Sequence, residues 1–170
     1  MNVPRPLGPM LAAAMLAMLG GSIGASRDVA AQDRPPSTGS PGYRPTVGDL
    51  MNALIQPRHA KLGLAGQAGN WPLAAYALVE LEQGFKSVGE TWPTWRRLSL
   101  PDMIDNLIPP AAKSLDQAIK ARDPARFTAA FQELTDACNS CHTAVRHPFI
   151  VIKAPDQSSF PNQNFAPADK

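Results

Sequence analysis

The chain has 170 residues, with 16 Lys+Arg against 14 Asp+Glu and a formal net charge of +2. That near balance, with no basic cluster along one face, gives no electrostatic reason to expect nucleic acid as a partner. The length suits one ordinary domain.

Residues 1–31 read as an export signal. Arg5 supplies a positive start, an apolar segment follows at Met10–Leu19, and "VAAQ" offers a cleavage site after Ala31, with Ala25 as a second candidate. A membrane anchor is the competing reading. It is the weaker one, because the apolar run ends by Ala25 and a span needs about 18–20 apolar residues. The segment has no twin arginine and no lipidation cysteine, so a general (Sec-type) secretion route to the periplasm is the expectation. Cleavage would leave roughly 140 residues, with no stable membrane insertion and with both cysteines in an oxidising compartment.

Residues 32–45, "QDRPPSTGSPGYRP", are polar and proline-rich and read as a poorly ordered linker. Four helical segments follow over residues 46–147. Helix A is expected from about Val47 to Gly66, with Thr46 as its cap and Leu50, Met51, Leu54, Ile55, His59 and Leu62 on one side. Pro57 must kink this helix or split it. Helix B starts after the cap Asn70, with Pro72 in its first turn, and its pattern continues to Phe85. Helix C starts near Pro101, is interrupted at Pro109-Pro110, and resumes to about Ala121. Helix D has Asp123 as cap and Pro124 at its first position. Phe127, Phe131, Leu134, Cys138, Cys141 and Val145 then recur every three or four residues, which is one helix face. Short A–B and C–D turns with a longer B–C link predict an all-α fold, an antiparallel four-helix bundle. Residues 148–170 form an extended C-terminal tail. Phe149, Ile150, Ile152, Phe160 and Phe165 make it too apolar to stay free, so it should pack back on the helices.

The chemistry sits in "DACNSCHTAVR", residues 136–146, which holds both cysteines and one of three histidines. Cys-x-x-Cys-His is the attachment sequence of c-type haem. On a helix, residues three apart face the same way, so both thiols can reach the two vinyl groups of one porphyrin. His142, four beyond Cys138, lies on that same side and can bind the iron. The rivals fit less well. A redox dithiol expects a βαβ setting. A zinc site needs four ligands, and His59 and His147 form no second pair. A disulfide over so small a loop stabilises little.

"CNSCHTAVR" resembles the C-terminal haem-binding sequence of cytochrome c′ and its low-spin relatives, C-x-x-C-H-x-x-(aromatic)-R. Val145 departs from the usual aromatic, and the long tail departs from family members that end soon after the motif. The residue-level match covers Cys138–Arg146. The resemblance implies one covalent haem c with its iron, Cys138 and Cys141 as thioether donors, His142 as proximal ligand and Arg146 beside the haem. A solvated helix-end cation is the alternative for Arg146. It also implies redox proteins as partners, and it allows a homodimer.

The other side of the iron has two candidate ligands. At 1.5 Å per residue, Cys138–His142 lie about 21–27 Å along helix D. Counted back from Gly66, Met51 lies at about 22 Å and His59 at about 10 Å. That ruler favours Met51, as does the resemblance, whose low-spin members use a helix-A methionine. His59 stays the alternative, because Pro57 can shift the register, and an iron with no ligand there is the third case. A filled position predicts an electron carrier. An open one, with Leu54 and Ile55 as lining, predicts a binder of nitric oxide or carbon monoxide. An enzyme such as a peroxidase is disfavoured, since Arg58 with His59 is the nearest approach to a distal acid–base pair. His147 is expected at the surface or in a cap, and Trp71, Trp92 and Trp95 in packing roles.

Overall fold

The computed structural model describes residues 42–168. The export-signal reading, and the linker up to residue 41, lie outside the described residues. What is described is mostly helical. α1 (Val47–Leu50), a π-helical segment (Met51–Ile55) and α2 (Gln56–Gln67) run on as one rod. α3 (Trp71–Thr91) follows, then a minimal hairpin of β1 (Thr94–Trp95) and β2 (Leu98–Ser99), then α4 (Leu100–Ala121) and α5 (Pro124–Ala144). The fold is all-α apart from that hairpin, which the sequence reading did not foresee. Among the described residues no helix is long and apolar enough to cross a membrane.

Local signals set the helix ends. Thr46 and Asp49 exchange two hydrogen bonds, so that each satisfies a free amide at the start of α1. Asn70 caps α3 through Leu73 N–H, Ser99 caps α4 through Asp102 N–H, and Asp123 takes the N–H groups of Ala125 and Arg126. α2 ends at Gly69 with φ of 69°, the left-handed cap that glycine enters without a steric cost.

The prolines behave differently in the two rods that contain them. Pro57 has no N–H to offer the Ala53 carbonyl, and the chain answers with the π segment, where Gln56 N–H reaches back to the Met51 carbonyl. The rod is neither split nor stopped. Pro109 and Pro110 lie inside an α4 that is continuous from Leu100 to Ala121, so the expected interruption does not occur. Both prolines are exposed, as are Asp105 and Asn106, whose carbonyls lose their donors. Water can satisfy those carbonyls.

α2 packs on α3, α3 on α4, α4 on α5, and α5 back on α2. Leu62, Leu81, Leu115 and Leu134 are fully buried between them. α2 and α5 run antiparallel at close range. A Cβ on Gly66 would lie 2.0 Å from the Phe127 ring, and one on Gly63 would lie 2.7 Å from Phe131. One turn on, His59 bonds Thr135. Beyond that contact Ile55 and Met51 on the first rod, and Cys138 and His142 on α5, line one cavity.

The tail packs back along the α2–α5 seam. Asn139 bonds Ile152, Gln67 donates to the Pro155 carbonyl, Lys61 lies over the Phe160 ring, and Asn70 donates to the carbonyls of Phe165 and Ala166.

Candidate functional site

The C-terminal third of α5 carries the two thiols and the imidazole. Cys138 is buried, Cys141 and His142 are half-buried, and both cysteines are free thiols. Their i, i+3, i+4 spacing places all three on one side of the helix. Burial first, and then the neighbouring Cys141, push the Cys138 thiol up to about 12. Burial also raises Cys141. Both groups are therefore neutral thiols at pH 7, the opposite of the depressed values that activate a redox dithiol. His142 is held by the tail, its Nδ1 lying 2.9 Å from the Ile150 carbonyl.

All three side chains line one cavity of about 300 Å³, at the small end of the range for ligand pockets. The wall opposite α5 comes from the first rod. Val47, Met51, Ile55 and His59 line it at intervals of four residues. In a regular α-helix such a stripe would rotate by about 40° per step. The wider π turn absorbs that drift and keeps the stripe aimed at the cavity. α4 adds Met103, Ile104 and Leu107, and α3 adds Phe85 and Val88. The lining is largely apolar. Leu54, expected here beside Ile55, is not part of the wall.

The structure thus brings Met51 and His59 into the same cavity as the Cys-x-x-Cys-His residues. The sequence ruler set His59 apart, and its position along the rod agrees, since the His59 ring lies 4.6 Å from that of Phe131, below the thiols. The cavity nevertheless reaches down to it. Thr135 Oγ1 donates to the Phe131 carbonyl at 2.8 Å, so it must accept from His59 Nε2–H at 3.1 Å. Burial lowers the His59 pKa to about 4, which keeps the ring neutral at pH 7. With Nε2 committed to Thr135, only Nδ1 has a free lone pair.

The mouth is built from residues that sequence reasoning passed over. Trp95, in β1, stacks on His147 with centroids 5.8 Å apart, and both line the cavity with Ile150 and Ile152. His147 also directs Nδ1 at the Val145 carbonyl, so it is both a cap residue and a wall residue. Only the apolar character of the tail and the presence of a tryptophan in the B–C link hinted at this. Trp71 packs on Phe127, and Trp92 donates to the Pro45 carbonyl beneath the Arg44 guanidinium.

Two cations stand outside the cavity wall. Arg146 is exposed, with φ of 63°, where it turns the chain out of α5. Its N–H bonds the Thr143 carbonyl, and His147 N–H bonds the His142 carbonyl, which closes the helix with a left-handed cap. Arg58 turns towards α3 and pairs with Glu80 at 3.3 Å, so it does not join His59 at the cavity.

Among the described residues, no three His, Cys, Asp or Glu side chains converge as a metal cage. An iron placed here would have to bring most of its own ligands, which the four ring nitrogens of a porphyrin do. Two neutral thiols beside an imidazole, in an apolar cavity, are the protein groups such a cofactor requires. Compared with protein-family models, curated proteins and solved structures, the chain matches none.

Proposed function

We propose that the chain is an exported, periplasmic monohaem c-type cytochrome that carries electrons, built as an antiparallel four-helix bundle of the cytochrome c′ kind. The observation that carries this reading is the convergence of Cys138, Cys141, His142 and Met51 on one apolar cavity. Haem c, when bound, supplies one-electron Fe(III)/Fe(II) chemistry.

The chain's own residues do the rest. Cys138 and Cys141 tether the porphyrin through thioethers. His142 offers Nε2 to the iron, because its Nδ1 is taken up by Ile150. Met51, which lines the same cavity from the first rod, would be the ligand on the other side. Leu107, Ile104 and Val88 exclude water, and low polarity with a thioether ligand favours the reduced state. With His142 and Met51 both held in place by their helices, these two residues would offer the same ligands in either redox state, which would keep reorganisation small. Redox proteins, met weakly and briefly, are the partners. Arg146 contributes helix-end charge and chain reversal in this reading, and the chain performs no substrate chemistry of its own.

A second reading is a binder of nitric oxide or carbon monoxide. The apolar distal wall favours it, since Ile55, Met103 and Leu107 could shelter a small uncharged ligand. Absorption spectra of the holoprotein, oxidised and reduced, with and without carbon monoxide, separate the two. The carrier is low-spin and indifferent to carbon monoxide, and Met51→Ala converts it to a high-spin form that binds the gas. A wild-type protein already high-spin and gas-responsive would replace the first reading with the second. A protein matured with haem-attachment machinery that stays colourless would overturn both.

A further inference from the structure

The tail is tied to the haem-attachment motif by a side chain inside it. Asn139, which follows Cys138, holds Ile152 of the tail by both its backbone N–H and its backbone carbonyl. Its Nδ2 donates to the Ile152 carbonyl at 2.9 Å, and its Oδ1 accepts the Ile152 N–H at 2.7 Å. Two bonds from one planar amide set both the position and the orientation of that stretch. Two residues earlier, the Ile150 carbonyl lies 2.9 Å from His142 Nδ1. A carbonyl can only accept, so Nδ1 carries the proton and the lone pair is on Nε2. Farther on, Gln67 holds the Pro155 carbonyl at 3.0 Å, so the segment is secured at both ends.

We infer that residues 149–155 form a strap whose Ile150 carbonyl positions His142 as an axial ligand, and that Asn139 is the positioning residue that holds the strap in register. This rests on the haem reading above. A carbonyl accepting from Nδ1–H fixes the rotation of the ring and makes Nε2 a more basic donor. A more basic donor stabilises ferric iron more than ferrous iron. Loosening the strap therefore raises the reduction potential. Simple anchoring of the tail would give the same contacts but no effect on the iron.

The test uses the holoprotein with Asn139, Asn139→Ala and Asn139→Asp. Asp retains the acceptor for Ile152 N–H and loses the donor. Covalent haem is checked by mass, and the reduction potential is then measured. In Asn139→Ala the ferric–ferrous equilibrium is expected to move several-fold towards the reduced state. A tenfold change is 59 mV for a one-electron couple. Asn139→Asp adds a charge that itself shifts the potential, so it is read by exchange of the His142 Nδ1 proton alone, where it is expected to fall between the two. Nitrogen-15 spectra of the reduced protein give a second readout, in which the His142 Nδ1 proton exchanges slowly in the wild type and faster in Asn139→Ala. Should Asn139→Ala not accumulate as holoprotein, Asn139→Asp is judged by that proton exchange alone. A haem-loaded variant with unchanged potential and unchanged exchange overturns the inference, even if its Tm falls. A colourless wild-type protein overturns the haem reading and the strap's role with it, and its lack of colour distinguishes that outcome.

Discussion

The two ends of the α2–α5 pair are built on opposite plans. At the end near the α2–α3 turn, Gly66 and Gly63 bring the helices so close that Phe127 and Phe131 fill the seam, with Trp71 against Phe127. At the other end the first rod winds through a π segment, and the seam parts around a cavity lined by Ile55, Met51 and Cys138. The same two elements therefore lock at one end and open at the other. Missing side chains produce the lock. The missing N–H of Pro57, and the π turn that accommodates it, accompany the opening. His59 marks the boundary, since one side of its ring meets Phe131 and its edge meets the cavity.

The strongest way to break this contrast is to add one methyl group at the locked end. In Gly66→Ala the new Cβ would lie 2.0 Å from the Phe127 ring. The expected loss is about 3 kcal/mol or more, the upper end of overpacking costs, read by urea denaturation. A neutral result would mean that the seam is loose and the lock does not exist.

The boundary residue should make stability depend on acid. Folded His59 keeps its proton off until about pH 4, while an unfolded histidine takes one near 6.5. The unfolded state therefore binds more protons between those values. Stability is full above pH 6.5 and falls as the pH drops towards 4, by at most about 3 kcal/mol. Denaturation midpoints of the wild type and His59→Gln at pH 7 and pH 5 test this. The variant should lose less on acidification, and equal losses would place the sensitive group elsewhere.

Smaller effects sharpen the open end. Arg146 holds a left-handed conformation that costs an ordinary residue roughly 1 kcal/mol. Arg146→Gly should raise Tm and, if the proposed haem is bound, leave its absorption spectrum unaltered. A changed spectrum would instead place the guanidinium beside the proposed haem, as the family resemblance implies. Gly48→Ala is the counterpart of the glycine change at the locked end. Its Cβ would meet only Thr46 Oγ1, at 3.7 Å. The expected gain is about 0.5–1 kcal/mol from helix propensity, again by denaturation. A loss would show that the open end is as tightly packed as the other.

Several features were legible before any coordinates. Thr46, Asn70 and Asp123 cap helices because their side chains reach amides two or three residues ahead, which is a local matter. The stripe from Phe127 to Val145 is buried at all but Cys141, which is half-buried, because an amphipathic period can be satisfied only by facing a core. Pro109 and Pro110 misled for an equally physical reason. The cost of a proline depends on whether water reaches the carbonyls it orphans, and that depends on the face it occupies.

By itself, then, the amino-acid order determined the all-α content, most of the helix ends, and the spacing that sets two thiols and an imidazole on one side of a helix. Those are short-range consequences of backbone geometry. Tertiary structure alone decided that His59 gives its Nε2 to Thr135, that Trp95 and His147 stack at the mouth, and that Asn139 and Ile150 tie the tail to His142. Each of these joins residues that different elements deliver to one place, and pairings across the fold follow from how whole helices pack rather than from any repeat along the chain.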